Sequence, residues 1–130
     1  MIVDTSAIVA ILRDEPERPA ILAALAGATV VRMSAGMRLE LAIVIRRLED
    51  PVVERRVEDL LEALRMSVEP FTVAHGAIAQ RAFADFGRGS GHPARLNFGD
   101  CFAYALARES GEPLLFKGDD FTHTDVAPAL

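Results

Sequence analysis

A chain of 130 residues has the length of one compact domain and leaves no room for a second core. Hydrophobic residues make up 51% and charged residues 25%, which predicts a cooperative globular core and excludes extended disorder. The net charge of −5 excludes a basic protein that coats nucleic acid by neutralising phosphates over its whole surface, and leaves only local patches for that work.

Ile2-Val3 reads as a short strand, and the spacing of Ala7, Ile8, Ala10, Ile11 and Leu12 predicts a helix behind it, N-capped by Thr5 or Ser6. After Pro19 come a short helix over Ile21 to Ala26, a strand at Thr29-Val30-Val31 and a long helix from Ser34 to Leu48, stopped by Asp50-Pro51. Val53 to Leu64 is amphipathic, with Val57, Leu60, Leu61 and Leu64 on one face and mostly charged residues on the other. Val68 to Val73 reads as a strand or extended link, Ala74 to Phe86 as a helix, and Gly87 to Pro93 as a glycine-rich loop. A helix over Asn97 to Glu109 ends at Gly111, and Pro113 to Phe116 is a buried strand that turns at Gly118-Asp119-Asp120. The alternation predicts an α/β domain with a mostly parallel central sheet and helices on both faces.

Cys101 is the only cysteine, so neither an internal disulfide nor a cysteine metal cluster is available. The opening residues carry no basic region before an apolar stretch, and no uncharged run is long enough to span a bilayer, so a cytoplasmic protein without membrane contact is expected.

Ligands of open parallel sheets bind beyond the carboxyl ends of the strands. Asp4 follows the first strand and Asp119 and Asp120 follow the last, so both groups fall at that edge. Glu40 has Gly36, Met37, Ile43 and Val44 as its helical neighbours; a carboxylate in such a stripe must face a metal or pair with Arg32, Arg38 or Arg47. Asp100, three residues after Asn97, stands near a helix start. Each acid also has a structural reading: Asp100 as a cap, Asp4 as an Asx-turn former, Asp119 and Asp120 as turn residues. Brought together, four carboxylates need a compensating charge, and an all-oxygen cluster fits Mg2+ or Mn2+ rather than zinc.

Four stretches in order, Met1-Ile-Val-Asp-Thr-Ser-Ala, the acid of Arg38-Leu-Glu-Leu, Asn97-Phe-Gly-Asp-Cys-Phe-Ala-Tyr-Ala-Leu-Ala and Leu114-Leu-Phe-Lys-Gly-Asp-Asp-Phe, strongly resemble a PIN-domain ribonuclease, nearest to the VapC toxins of toxin–antitoxin modules. The resemblance implies one PIN domain over residues 1–130, a three-layer sandwich, and Mg2+-dependent RNA cleavage, with Mn2+ as a substitute. It further implies neutralisation by a cognate VapB-type antitoxin, and a homodimer. Carried over by motif position, Asp4 and Asp100 are the main metal ligands, Glu40 completes the acidic site and Asp120 is the fourth acid. Thr5 or Ser6 would orient water or the Asp4 carboxylate, with Asn97 and Asp119 in support. Gly118 stands where the family often has Asp or Asn, and Phe116 where it often has Thr or Ser, which leaves open how Asp119 and Asp120 divide their role.

RNA would be held by other groups, and Arg81, Arg88 and Arg95 outnumber Asp85 along the flexible stretch that also holds His92. Arg88, His92 and Arg95 are the candidate RNA contacts, their structural reading being a solvated loop. His75, His92 and His123 lack zinc spacing, Gly87 to Gly91 lacks the residues of a P-loop, and Ser6 lacks a nucleophile elbow. Phe98, Phe102 and Tyr104 read as core rather than as base-stacking platforms, and Cys101 as packing rather than catalysis. The competing readings are an inert PIN-like module binding a protein through Ile21 to Leu25 or Val57 to Leu64, and a small phosphohydrolase with Asp4 as nucleophile. The latter lacks the usual second acid, since Ser6 stands in its place.

Overall fold

Short apolar runs alternate with longer amphipathic stretches, and a computed structural model describing residues 1–130 pairs the runs into one sheet. The strands are β1 (Ile2–Val3), β2 (Arg32–Ser34), β3 (Ser67–Glu69) and β4 (Leu114–Leu115). The helices are α1 (Thr5–Leu12), α2 (Arg18–Gly27), α3 (Ala35–Arg46), α4 (Pro51–Ala63), α5 (Val73–Phe86) and α6 (Asp100–Ser110). The sheet order is β3-β2-β1-β4 and every pairing is parallel, which gives the expected α/β architecture.

The strand order places the site. From β1 through β2 to β3 the chain steps one way across the sheet, then returns to lay β4 on the far side of β1. Right-handed crossovers therefore send α1 to α4 to one face and α5 and α6 to the other. In keeping with that, α1 packs on α2, α3 and α4, while α5 packs on α6 and α6 lies against β1, β2 and β4. The reversal between β1 and β4 opens a crevice at their carboxyl ends. Register aligns Ile2 with Leu114 and Val3 with Leu115, and the Asp4 N–H donates to the Leu115 carbonyl at 2.9 Å. Ile2, Val3, Met33, Leu114 and Leu115 are wholly buried, as strands covered on both faces require.

Several boundaries differ from expectation. The second strand is Arg32–Ser34 rather than Thr29 to Val31, because the ladder begins with the Arg32 N–H donating to the Met1 carbonyl. Its arginine is accommodated by Glu112, 3.4 Å away. The long helix ends at Arg46, short of Leu48, and Asp50-Pro51 starts the next helix: the Asp50 carboxylate accepts from the Val52 N–H at 2.8 Å, with Pro51 in the first turn. Asp4, and not Thr5 or Ser6, is the N-cap of α1. α2 begins at Arg18, so Pro19 lies inside its first turn, where its missing N–H costs nothing. β3 stops at Glu69, since Thr72 and His75 form a reciprocal cap on α5. α6 starts at Asp100 instead of Asn97.

The helix faces proposed for protein binding are spent inward, with Ile21, Leu25, Val57 and Leu61 all in the core. No helix is long and apolar enough to cross a membrane. His75 is buried and its ring meets Glu109, a structural role, and Cys101 is buried with its thiol pushed up to about 11 by that burial, which keeps it unreactive.

Candidate active site

Asp4 leaves the sheet at the end of β1 and turns into α1. Its Oδ2 accepts from the Ser6 N–H at 2.8 Å and from the Ser6 hydroxyl at 2.5 Å. Ser6 Oγ in turn accepts from the Lys117 N–H at 3.0 Å, which ties the first turn to the loop after β4. The other oxygen, Asp4 Oδ1, is buried and has no partner. An orphaned carboxylate oxygen inside a protein is costly unless a cation meets it.

Asp100 opens α6, where the helix dipole favours a negative charge. It is clamped by Asn97: the Asn97 N–H donates to Asp100 Oδ2 at 2.6 Å, and Asn97 Oδ1 accepts from the Asp100 N–H at 3.1 Å. The capping reading of Asp100 is therefore met together with its place in the cluster, because these bonds also aim the carboxylate.

Glu40 has no cationic partner. Arg38 pairs with Glu58 and Arg32 with Glu112, and Arg47 makes no ion pair, so the expected alternative for Glu40 does not form. Instead Glu40 Oε2 accepts from the Thr5 hydroxyl at 2.8 Å. The role expected of Thr5 or Ser6 at the Asp4 carboxylate falls to Ser6, while Thr5 holds Glu40 instead. Gly99 lets the start of α6 approach α3, since a Cβ there would lie 2.1 Å from Glu40 Oε1.

Electrostatics link the acids. Burial pushes the Asp4 carboxyl up from 3.8 to about 6, against the lowering effect of the Ser6 hydrogen bonds and with a further push from Glu40. Burial also pushes Asp100 up to about 7, opposed by the Asn97 N–H and aided by repulsion from Asp4, Asp120 and Glu40. Asp120 is exposed and its charge acts on Asp100; Asp119 is exposed as well.

The four carboxylates repel one another without closing into a ready-made cage of three ligands. The donor set nonetheless fits a hard divalent cation: oxygen donors only, an orphaned Asp4 Oδ1, and two acids whose charged forms burial penalises.

The candidate RNA contacts lie outside these hydrogen bonds. Arg88 and Arg95 are exposed, and the Arg88 Nε–H donates to the Arg95 carbonyl at 3.3 Å. His92 is turned inward, with Nδ1 accepting from the Ala94 N–H at 3.2 Å and its ring edge-on to Phe86, which favours a structural role for it. Phe98 departs most from expectation. It is 78% exposed, whereas Tyr104 is buried and Phe102 packs against the core.

Three comparisons place this geometry among known proteins. The family model described as "PIN domain" matches residues 1–127. The chain is 56% identical over 130 residues to the "Ribonuclease VapC28" of Mycobacterium tuberculosis, covering 100% of this chain and 98% of that one. It is 50% identical over 129 residues to "Ribonuclease VapC42" of the same species, covering 99% and 98%. Among solved structures, M. tuberculosis VapC20, described as a sarcin-ricin loop cleaving toxin, superposes with a TM-score of 0.73 at 17% identity over 97% of this chain and 95% of that one. VapBC2 from Rickettsia felis, bound to a promoter DNA fragment, gives a TM-score of 0.74 at 12% identity over 98% and 94%. At those identities the structural likeness concerns the fold.

Proposed function

The chain belongs to the PIN-domain family, and from that membership together with the carboxylate cluster we propose that it is the toxin of a type II toxin–antitoxin module, an endoribonuclease that hydrolyses RNA phosphodiester bonds. Asp4, Glu40, Asp100 and Asp120 would be its acidic residues, and Asp4, Asp100 and Glu40 would hold Mg2+, with Mn2+ as a substitute. The observation that carries this reading is the unpartnered Asp4 Oδ1, buried in a cluster where Asp4, Glu40 and Asp100 repel one another.

The bound cation would offset the clustered charge, acidify an attacking water and stabilise the leaving oxygen. The chain supplies the preorganisation. Ser6 fixes Asp4 Oδ2 so that Oδ1 is left for the cation, Thr5 holds Glu40 by one oxygen, and Asn97 fixes Asp100. Asp120, whose charge reaches Asp100, would assist the metal or orient water, with Asp119 beside it in support. Arg88 and Arg95 offer guanidinium groups to the phosphate backbone outside the site. Residues 1–130 act as one PIN domain in the cytoplasm, as a homodimer restrained by a VapB-type antitoxin. The inert-module reading is disfavoured, because the helix faces it needs are buried in the core.

The experiment is induction of the chain alone in a bacterial host. Growth arrest with accumulation of cleaved RNA is expected, reversed by co-expression of the antitoxin encoded beside it. Normal growth with intact RNA at confirmed expression would refute the toxin reading.

A further inference from the structure

The acid cluster would hold the cation, so placing the substrate along the cluster falls to groups at its rim. Phe98 stands one residue beyond Asn97 and two before Asp100, at the rim of the cluster, and is 78% exposed. It is not a loose side chain. Its ring meets Phe102 edge-on, with centroids 5.0 Å apart and planes at 88°, and Phe102 meets Phe71 at 4.7 Å and 68°. Phe102 is itself seated on Gly36, where a Cβ would lie 2.3 Å from its ring. On either side the backbone is pinned, by the reciprocal Asn97 and Asp100 bonds and by the close approach of Gly99 to Glu40.

Resting on the ribonuclease reading, we propose that Phe98 is the platform on which a base of the substrate RNA stacks beside the cleaved phosphodiester, setting which bond enters the acid cluster. Two features of one short stretch match two parts of a nucleotide, and both lie beside the acid cluster: the exposed Arg95 guanidinium, which has no ion-pair partner, suits a phosphate, and the exposed Phe98 ring suits a base, two residues before the buried Asp100. This juxtaposition of a phosphate-binding group and a base-sized ring beside the acid cluster favours RNA over a protein contact. Stacking is available to every base, so Phe98 fixes position along the strand more than base identity.

The test uses wild type, Phe98→Ala, Phe98→Leu and Phe98→Trp, and follows cleavage of total bacterial RNA alongside quenching of 2-aminopurine placed at successive positions in single-stranded RNA oligonucleotides. Wild type and Phe98→Trp are expected to quench at the same position. Phe98→Ala and Phe98→Leu should lose the quench, bind about tenfold more weakly and raise KM more than they lower kcat. Leucine keeps the apolar bulk without a π face, so it separates stacking from mere burial. Unchanged quenching and binding in Phe98→Ala beside a cleaving wild type would overturn the platform alone. An unchanged quench with an altered association state on sedimentation would assign the ring to a protein contact and also overturn it. Absence of cleavage by the wild type would remove the ribonuclease reading and the platform with it.

Discussion

Asp4→Asn and Asp100→Asn are expected to lower RNA cleavage by about 10²–10³-fold or more while the protein stays folded and, in the presence of a chelator, becomes more stable. Asparagine keeps the shape of the side chain and an oxygen able to accept the same hydrogen bonds, from Ser6 at position 4 and from the Asn97 N–H at position 100. What is lost is the charge that a divalent cation needs. Both carboxyls sit above their ordinary value in the fold, at about 6 and about 7 against 3.8. The folded chain therefore holds protons that the unfolded chain has released, and in the cation-free protein stability falls as pH rises from about 4 to about 7. At neutral pH the buried Asp4 charge alone costs about 3 kcal/mol on this basis. Thermal melts in chelator across that range should show the wild type losing stability with rising pH and both variants losing less. Added Mg2+ should stabilise the wild type most. A wild type whose melting point rises with pH in chelator would contradict the cost assigned to these two acids.

Gly99→Ala should abolish most of the activity by a different route. The backbone at Gly99 is helical, with φ −62° and ψ −48°, so alanine suits its conformation. The constraint is spatial: the new Cβ would lie 2.1 Å from Glu40 Oε1 and 3.1 Å from Asn97 Oδ1. Glu40 is a flexible side chain and gives way cheaply, so stability changes little. Its carboxylate moves by about an ångström and loses the Thr5 hydroxyl, and misplacement on that scale costs about 10²-fold in rate. Gly27→Ala, with open space around its Cβ, is the matched control and should cleave like the wild type. Equal cleavage by Gly99→Ala would show that the position of Glu40 does not matter to the reaction.

The chain's secondary structure is legible because its apolar runs are short and its helical stretches amphipathic, and Asp4 declares itself by following Ile2-Val3 directly. Boundaries are less legible where side chains compete for the helix ends. Asp50-Pro51 reads as a stop for α3 but caps α4, and Asn97 reads as the first residue of α6 while its side chain instead caps Asp100. The same helix boundary decides Phe98: spaced four from Phe102, it reads as a core position of a helix, yet α6 begins after it and leaves its ring in solvent. The meeting of the four acids is not written in the alternation of strands and helices, which does not specify the order β3-β2-β1-β4. Only the family resemblance implies it, and the fold gives its cause, since the winding reverses between the strands that precede Asp4 and Asp120. The lack of a cation for Glu40 is equally invisible in sequence, where three arginines lie within reach and two of them are engaged elsewhere. Without the four acids the chain would be close to neutral, so the net charge of −5 is largely a property of this cluster.

Cleavage of RNA by the purified wild-type chain, followed as Mg2+ is titrated from a chelated baseline, decides whether the acid cluster works through a divalent cation. The expected result is no cleavage in chelator and saturable cleavage on adding Mg2+, restored by Mn2+ and absent throughout from Asp100→Asn. Undiminished cleavage in chelator, or equal cleavage by Asp100→Asn, would contradict it.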